Sequence, residues 1–133
     1  EGTCEYLNDV LSTPVSPELL PADSAGDIAQ KTEDILGPYE LHDYFLFHFV
    51  RYGFRPSKLY YYACAAFSGQ YEPKYIKETL MLFFRRFVAG QFKRACAPDS
   101  ARLTDVCLQS SVYRIPSDLD ARPLLAELES IEF

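Results

Sequence analysis

Five residues between positions 86 and 94 carry the clearest chemical signal. Arg86, Gly90 and Lys93 recur at i, i+4 and i+7, so on one continuous helix they fall within roughly 60° of one another. A glycine inside a helix is about 1 kcal/mol less favourable than alanine. Between two cations it would leave room for a ligand or a second backbone to approach. Arg94 lies beside this face, and Phe92 offers an aromatic surface. Such a stripe suits a phosphate or diphosphate, which takes charge-assisted donors. The plainer alternative is that cations in the last turns of a helix answer its dipole; residue types alone leave both readings open.

Other groups carry less. Thr32-Glu33-Asp34, after Gln30-Lys31, could ligate Mg²⁺ or polarise a ligand hydroxyl; equally, the acids could supply favourable charge at the start of a helix. His42 and His48 fall in an aromatic-rich helix with no nucleophile beside them, so His48 reads as a hydrogen-bonded core histidine. Ser110-Ser111 lacks the G-x-S-x-G elbow, and Tyr60-Tyr61-Tyr62 reads as helix packing. No glycine-rich phosphate cradle occurs, so nothing here would position a triphosphate unaided.

The elements that must hold these groups are helices. Leu41, Tyr44, Phe45, His48, Phe49 and Tyr52 repeat at the helical period. Leu46, Phe47 and Val50 fill the other faces, which predicts a helix nearly surrounded by protein. Gly53 is the expected stop, and Pro56 suits the first turn of a second helix running to about Phe67. A third, the longest, is expected from about Pro73 to Ala95, with Ile76, Leu80, Phe83, Phe84, Phe87 and Val88 as its buried stripe. Tyr6 to Leu11 predicts a short helix, stopped by Thr13-Pro14 and Ser16-Pro17. Leu20 to Gln30 has loop composition, and residues 102–113 show no clear period. A last short helix is expected from Ser117, as N-cap, to about Ile131, interrupted or restarted at Pro123. The organisation expected is therefore a lead-in helix and loop (1–19), a mobile loop (20–37), which the family resemblance given below makes an active-site loop, a helical core (38–97) and a tail with a short helix (98–133). The class is mainly α.

The 133 residues suit one domain, and an aromatic content of 15% is ample for a packed core. The only methionine is Met81, which points to a piece of something longer. Net charge is −6 but unevenly spread: residues 51–96 hold nine Lys or Arg and two acids, against one Lys and ten acids in residues 1–50. One basic segment in an acidic chain could hold an anion locally, but makes a poor general nucleic-acid binder. No apolar run is long enough to span a bilayer. Cys4, Cys64, Cys96 and Cys107 lack metal-ligand or disulfide-framework spacing. Cys64 and Cys96 fall in apolar helical runs as small hydrophobes, which suits a reducing, cytoplasmic setting.

Six segments, in order, resemble the long-form, glutamine-dependent NAD synthetases. Gly37 to Leu46 (GPYELHDYFL) resembles that family's GPYELHDFFL, and Arg51 to Lys58 (RYGFRPSK) its RYGFxPSK. Arg85-Arg86-Phe87 with Gln91-Phe92-Lys93-Arg94 is similar to RRF…QFKR, and Arg114 to Asp118 to RxPSD. Thr13 to Leu19 and Gln30 to Asp34 resemble its PVSPEL and QKTED segments. The resemblance covers essentially the whole chain.

It implies a helical C-terminal segment of an α/β, Rossmann-like adenine-nucleotide-binding synthetase domain. The family converts deamido-NAD to NAD: ATP adenylylates the nicotinate carboxylate, diphosphate leaves, and ammonia drawn from glutamine displaces AMP. ATP and Mg²⁺ would be co-substrate and ion of the parent enzyme, with none bound by this chain alone. The resemblance makes Lys93 a deamido-NAD contact, with Phe92 and Arg94 as neighbours, and sets Thr32, Glu33 and Asp34 at the edge of an active-site loop that closes over nucleotide. No catalytic residue and no metal ligand is expected here, and the segment alone is expected to be inactive. A homo-oligomer is implied, with neither nucleic acid nor membrane as partner. The family's SGGxDS loop and the Glu/Lys/Cys set of its glutaminase are absent, and Val112 stands where many relatives carry aspartate before RxPSD. A non-catalytic helical interaction module is the competing reading.

Overall fold

The computed structural model describes residues 2–13, 32–102 and 104–132. Among them seven helices and no strand occur, so the mainly α class holds. The chain divides into two units, Glu1–Gly37 and Pro38–Phe133.

In the first unit, α1 spans Gly2–Ser12, longer at both ends than the stretch expected from Tyr6 to Leu11. The hydroxyls of Ser12 and Thr13 both donate to the Asp9 carbonyl at 2.9 Å, satisfying the helix end before Pro14 is reached. Tyr6, Leu7, Val10 and Leu11 stand exposed. α2 is a single turn, Thr32–Leu36, closed by Gly37 at φ 86° with its N–H on the Glu33 carbonyl at 2.8 Å. The end of the expected 20–37 loop is therefore helical, since two acids in a first turn complement the helix dipole. The rest of that loop, from Leu20 through Lys31, lies outside the described residues.

In the second unit, α3 (Tyr39–Tyr52) ends at Gly53, whose φ of 62° lets its N–H reach the Phe49 carbonyl at 3.0 Å. Phe54 N–H then returns to the His48 carbonyl at 3.3 Å, the paired bonds of a glycine-terminated helix. α4 (Pro56–Ala66) follows with Pro56 in its first turn. α5 spans Pro73–Ala89, α6 is the turn Gln91–Ala95, and α7 spans Arg122–Glu129. α5 packs against α3, α4, α6 and α7, and α4 packs against α3, α5 and α7.

The stripe expected on the longest helix is the one buried. Ile76, Leu80, Phe83, Phe84, Phe87 and Val88 all enter the core with Leu41, Phe45, Leu59, Ala63 and Leu128. Phe49 meets Phe84 edge-on at 5.2 Å and Phe87 at 5.5 Å, a preferred aromatic geometry. Each fully buried phenylalanine contributes about 1.5–3 kcal/mol.

Several expectations are corrected. α3 is not surrounded: among the described helices it packs chiefly on α4 and α5, leaving Phe47 and Tyr52 43% and 59% exposed. The longest helix does not run unbroken to Ala95. Gly90 sits at φ −80°, ψ 0°, ending α5 and starting α6. Cys96, expected inside an apolar run, is exposed just after α6. The last helix starts at Arg122, not after a Ser117 cap. Ser117 and Asp118 form a turn, and Asp120 accepts from the Arg122 N–H at 2.9 Å while Pro123 pre-sets the first turn.

Candidate functional site

The basic motif Gln91-Phe92-Lys93-Arg94 folds into α6, and its four side chains divide into two pairs. Gln91 is only 3% exposed, and its amide donates to the Ile115 carbonyl at 3.1 Å. Arg94 turns back on the chain. Its Nε donates to Gln91 Oε1 at 3.0 Å, its Nη2 donates to the Phe87 carbonyl, and its guanidinium carbon lies 4.2 Å from the Phe87 ring centre. Burial lowers its pKa from the ordinary arginine value, against the opposing effect of nearby Tyr113.

Phe92 and Lys93 face out. Phe92 is 60% exposed, Lys93 is exposed, and the Lys93 ammonium lies 6.0 Å from the Phe92 ring centre, at the outer limit of a cation–π contact. No ion pair neutralises Lys93 among the described residues. Arg86, in the last turn of α5, is exposed as well. What this surface can do is place an uncompensated ammonium, beside an aromatic face, against an anion.

Sequence reasoning missed how Gly90 is used. The space over it is not open to a ligand: a Cβ there would lie 3.2 Å from Arg94 Nη1 and 3.1 Å from the Arg86 carbonyl oxygen. Arg94, expected beside Lys93 at the ligand, has its guanidinium committed to the chain's own groups. Gln91 was not singled out, although a glutamine between apolar Gly90 and Phe92 on a packed helix signals a buried amide that needs a partner.

The remaining candidates lie elsewhere. Thr32, Glu33 and Asp34 belong to α2 in the first unit. Among the described residues no three His, Cys, Asp or Glu side chains converge on a point that could hold a metal. His48 is part-buried, its Nδ1 is 2.9 Å from the Tyr44 carbonyl, and it packs against the Tyr44 ring at 4.1 Å, as expected of a packing histidine. Tyr60 is buried, and burial first, then Cys64, pushes its hydroxyl up to about 12; Tyr61 and Tyr62 are exposed. The Lys58 ammonium caps the Phe54 ring at 3.9 Å. Val112 is exposed on the turn following Gln109. An open groove of about 620 Å³ lies between α3 and the segment after Leu103, lined by Asp43, Leu46, Phe47, Arg51, Thr104, Asp105 and Val106. It holds none of the expected site residues, and Arg51 and Asp105 pair within it at 3.7 Å.

The helices of the second unit pack about α5 and hold one lysine outward on the single turn α6, which makes this a helical segment with an exposed cationic surface. Comparison with known proteins gives the family. The chain is 36% identical to the glutamine-dependent NAD(+) synthetase of Mycobacterium leprae, and 33% identical to those of Mycobacterium bovis and Mycobacterium tuberculosis. Each alignment covers 97% of this chain and 22% of the relative. The chain thus spans about a fifth of the length of the curated relatives it matches. It belongs to the glutamine-dependent NAD(+) synthetase family, as a segment of such an enzyme. No family model and no solved structure matches it. Among the described residues, no helix is long and apolar enough to cross a membrane.

Proposed function

We propose that this chain is the C-terminal helical segment of the synthetase domain of a glutamine-dependent NAD synthetase, and that it contributes Lys93 to the deamido-NAD site. The observation that carries the reading is the match over 97% of the chain to enzymes of that name, combined with an exposed, unpaired ammonium at the position where the family motif places its lysine. In the parent ligase ATP adenylylates the nicotinate carboxylate and glutamine-derived ammonia displaces AMP. Lys93 then offsets the negative charge of dinucleotide and acyl-adenylate, with Phe92 as an aromatic flank. ATP and Mg²⁺ are held by other parts of the enzyme, and this segment alone turns nothing over. The parent is a cytoplasmic homo-oligomer without nucleic-acid or membrane partners.

The outward apolar side chains of α1 and the exposed Phe47, Tyr52, Tyr61 and Tyr62 suit a segment that packs on other parts of a larger protein. The test is Lys93→Ala in the complete enzyme, read by deamido-NAD binding. Losing one charge-assisted contact should weaken binding about tenfold or more, at roughly 1.4 kcal/mol per decade, with melting temperature unchanged. Undiminished affinity would remove Lys93 from the site.

A further inference from the structure

The geometry of α6 points to a division of labour within its motif. We propose that Arg94 is a positioning residue for Lys93, acting as the brace that fixes the turn on which Lys93 stands. The inference rests on the proposed reading of Lys93 as a deamido-NAD contact.

A five-residue helix does not hold itself. Nucleating the first turn is unfavourable, and isolated helices shorter than about 12–15 residues are marginal in water. α6 spans five residues, Gln91–Ala95, and no side chain caps its N-terminus. Its direction must therefore be set by tertiary anchors, and the structure shows two. Gln91 ties its first residue to the Ile115 carbonyl at 3.1 Å. Arg94 ties its fourth residue back across the break to the Phe87 carbonyl at the end of α5, while gripping Gln91 Oε1 at 3.0 Å and lying over the Phe87 ring.

One guanidinium therefore joins three things: the last turn of α5, the buried amide of Gln91 and a core ring. A planar fork with several donors can do this, and the single point charge of a lysine cannot. Phe92 and Lys93 lie between the two anchored residues and are both exposed. The brace leaves Lys93 free at its tip and fixed at its base, the arrangement that lowers the entropy lost when a ligand is gripped. Gly90 belongs to the same device. Its missing Cβ leaves the 3.2 Å approach of Arg94 Nη1 open, which explains a glycine here without invoking a ligand above it.

The experiment uses the complete synthetase carrying this segment, supplied with ammonia directly. Lys93→Ala, Arg94→Gln, Arg94→Lys and the Lys93→Ala/Arg94→Gln double variant are compared for KM and kcat with respect to deamido-NAD, and for KM with respect to ATP. Arg94→Gln is expected to raise the deamido-NAD KM several-fold, on the order of tenfold, because a small misplacement of a binding group is costly. The ATP KM should stay unchanged, as general structural damage would not allow. Arg94→Lys should resemble Arg94→Gln, and the double variant should be no worse than Lys93→Ala alone. Wild-type KM in Arg94→Gln beside an impaired Lys93→Ala would overturn the brace and leave the site standing. Wild-type KM in Lys93→Ala would remove the site and the brace with it. Multiplying effects in the double variant, or full rescue by Arg94→Lys, would show Arg94 acting by charge or on its own, and would also overturn it. Should Arg94→Gln not fold, Arg94→Lys, which keeps the charge and removes the planar fork, carries the test of the brace on the same outcomes.

Discussion

Removing the Glu127 carboxylate should loosen the joint between α7 and α4, and the structure allows the effect to be sized. α4 has no side-chain cap of its own. One of its N-terminal backbone donors is met from α7, seventy residues on, where Glu127 Oε1 accepts the Ser57 N–H at 3.0 Å and the Ser57 hydroxyl at 2.5 Å. Hydrogen bonds to a charged group contribute about 1.5–3 kcal/mol, and a carboxylate at a helix N-terminus adds about 0.3–1 kcal/mol. The pairing with Arg55 at 3.6 Å adds about 0–1 kcal/mol at most, because Arg55 is largely exposed. Glu127→Ala is expected to lower unfolding free energy by about 2–3 kcal/mol. Glu127→Gln, which keeps an acceptor oxygen, should lose roughly half of that.

The effect has a pH signature. Burial pushes the Glu127 carboxyl up, but the Ser57 hydroxyl and N–H and the Arg55 guanidinium outweigh it, leaving it below the ordinary value of 4.5. A depressed carboxyl stabilises fully above 4.5 and loses that contribution as pH falls through its lower folded value. Urea unfolding of the chain, followed by helical circular dichroism at pH 7 and at steps below 4.5, reads both. Equal stability of Glu127→Ala and wild type at pH 7, or a difference that persists unchanged into strong acid, would refute the reasoning.

Two further outcomes follow from burial. Phe84 is fully buried, 5.2 Å from the Phe49 ring centre and 5.3 Å from that of Phe83; Phe84→Ala should destabilise by about 3–5 kcal/mol, and a loss below 1 kcal/mol in the same urea assay would contradict the core assignment. Burial raises the Cys64 thiol pKa despite the Tyr60 hydroxyl, whereas Cys4 and Cys96 are exposed. A thiol reagent at neutral pH should therefore label Cys4 and Cys96 well before Cys64, and equal rates by mass spectrometry would overturn that ordering.

What the sequence could reveal follows from which signals are local. The stripe of α5 was legible because six apolar residues at helical spacing have one solution, burial on a common face. The ends at Gly53 and Pro56 were legible because each rests on a backbone property of a single residue. The exposure of Phe47 and Tyr52 was not, since an aromatic-rich helix says nothing of how many neighbours it has. Nor was the break at Gly90. A helical wheel assumes an unbroken helix, and only the fold shows that Arg94 turns back into the space beside that glycine. Ser117 failed as a cap because Pro123 and Asp120 together start the helix five residues later. Of the candidate site, Lys93 was singled out through the family motif, while the inward-facing contacts of Gln91 and Arg94 depend on partners the motif does not contain, the Ile115 and Phe87 carbonyls.

The most direct test asks whether substrate covers the amine of Lys93. In the complete synthetase, lysines are acetylated briefly with and without saturating deamido-NAD, and modification at residue 93 is quantified by mass spectrometry against exposed Lys74 as an internal reference. Selective protection of Lys93 is the predicted result. Equal acetylation of Lys93 in both states, with the dinucleotide demonstrably bound, would contradict it.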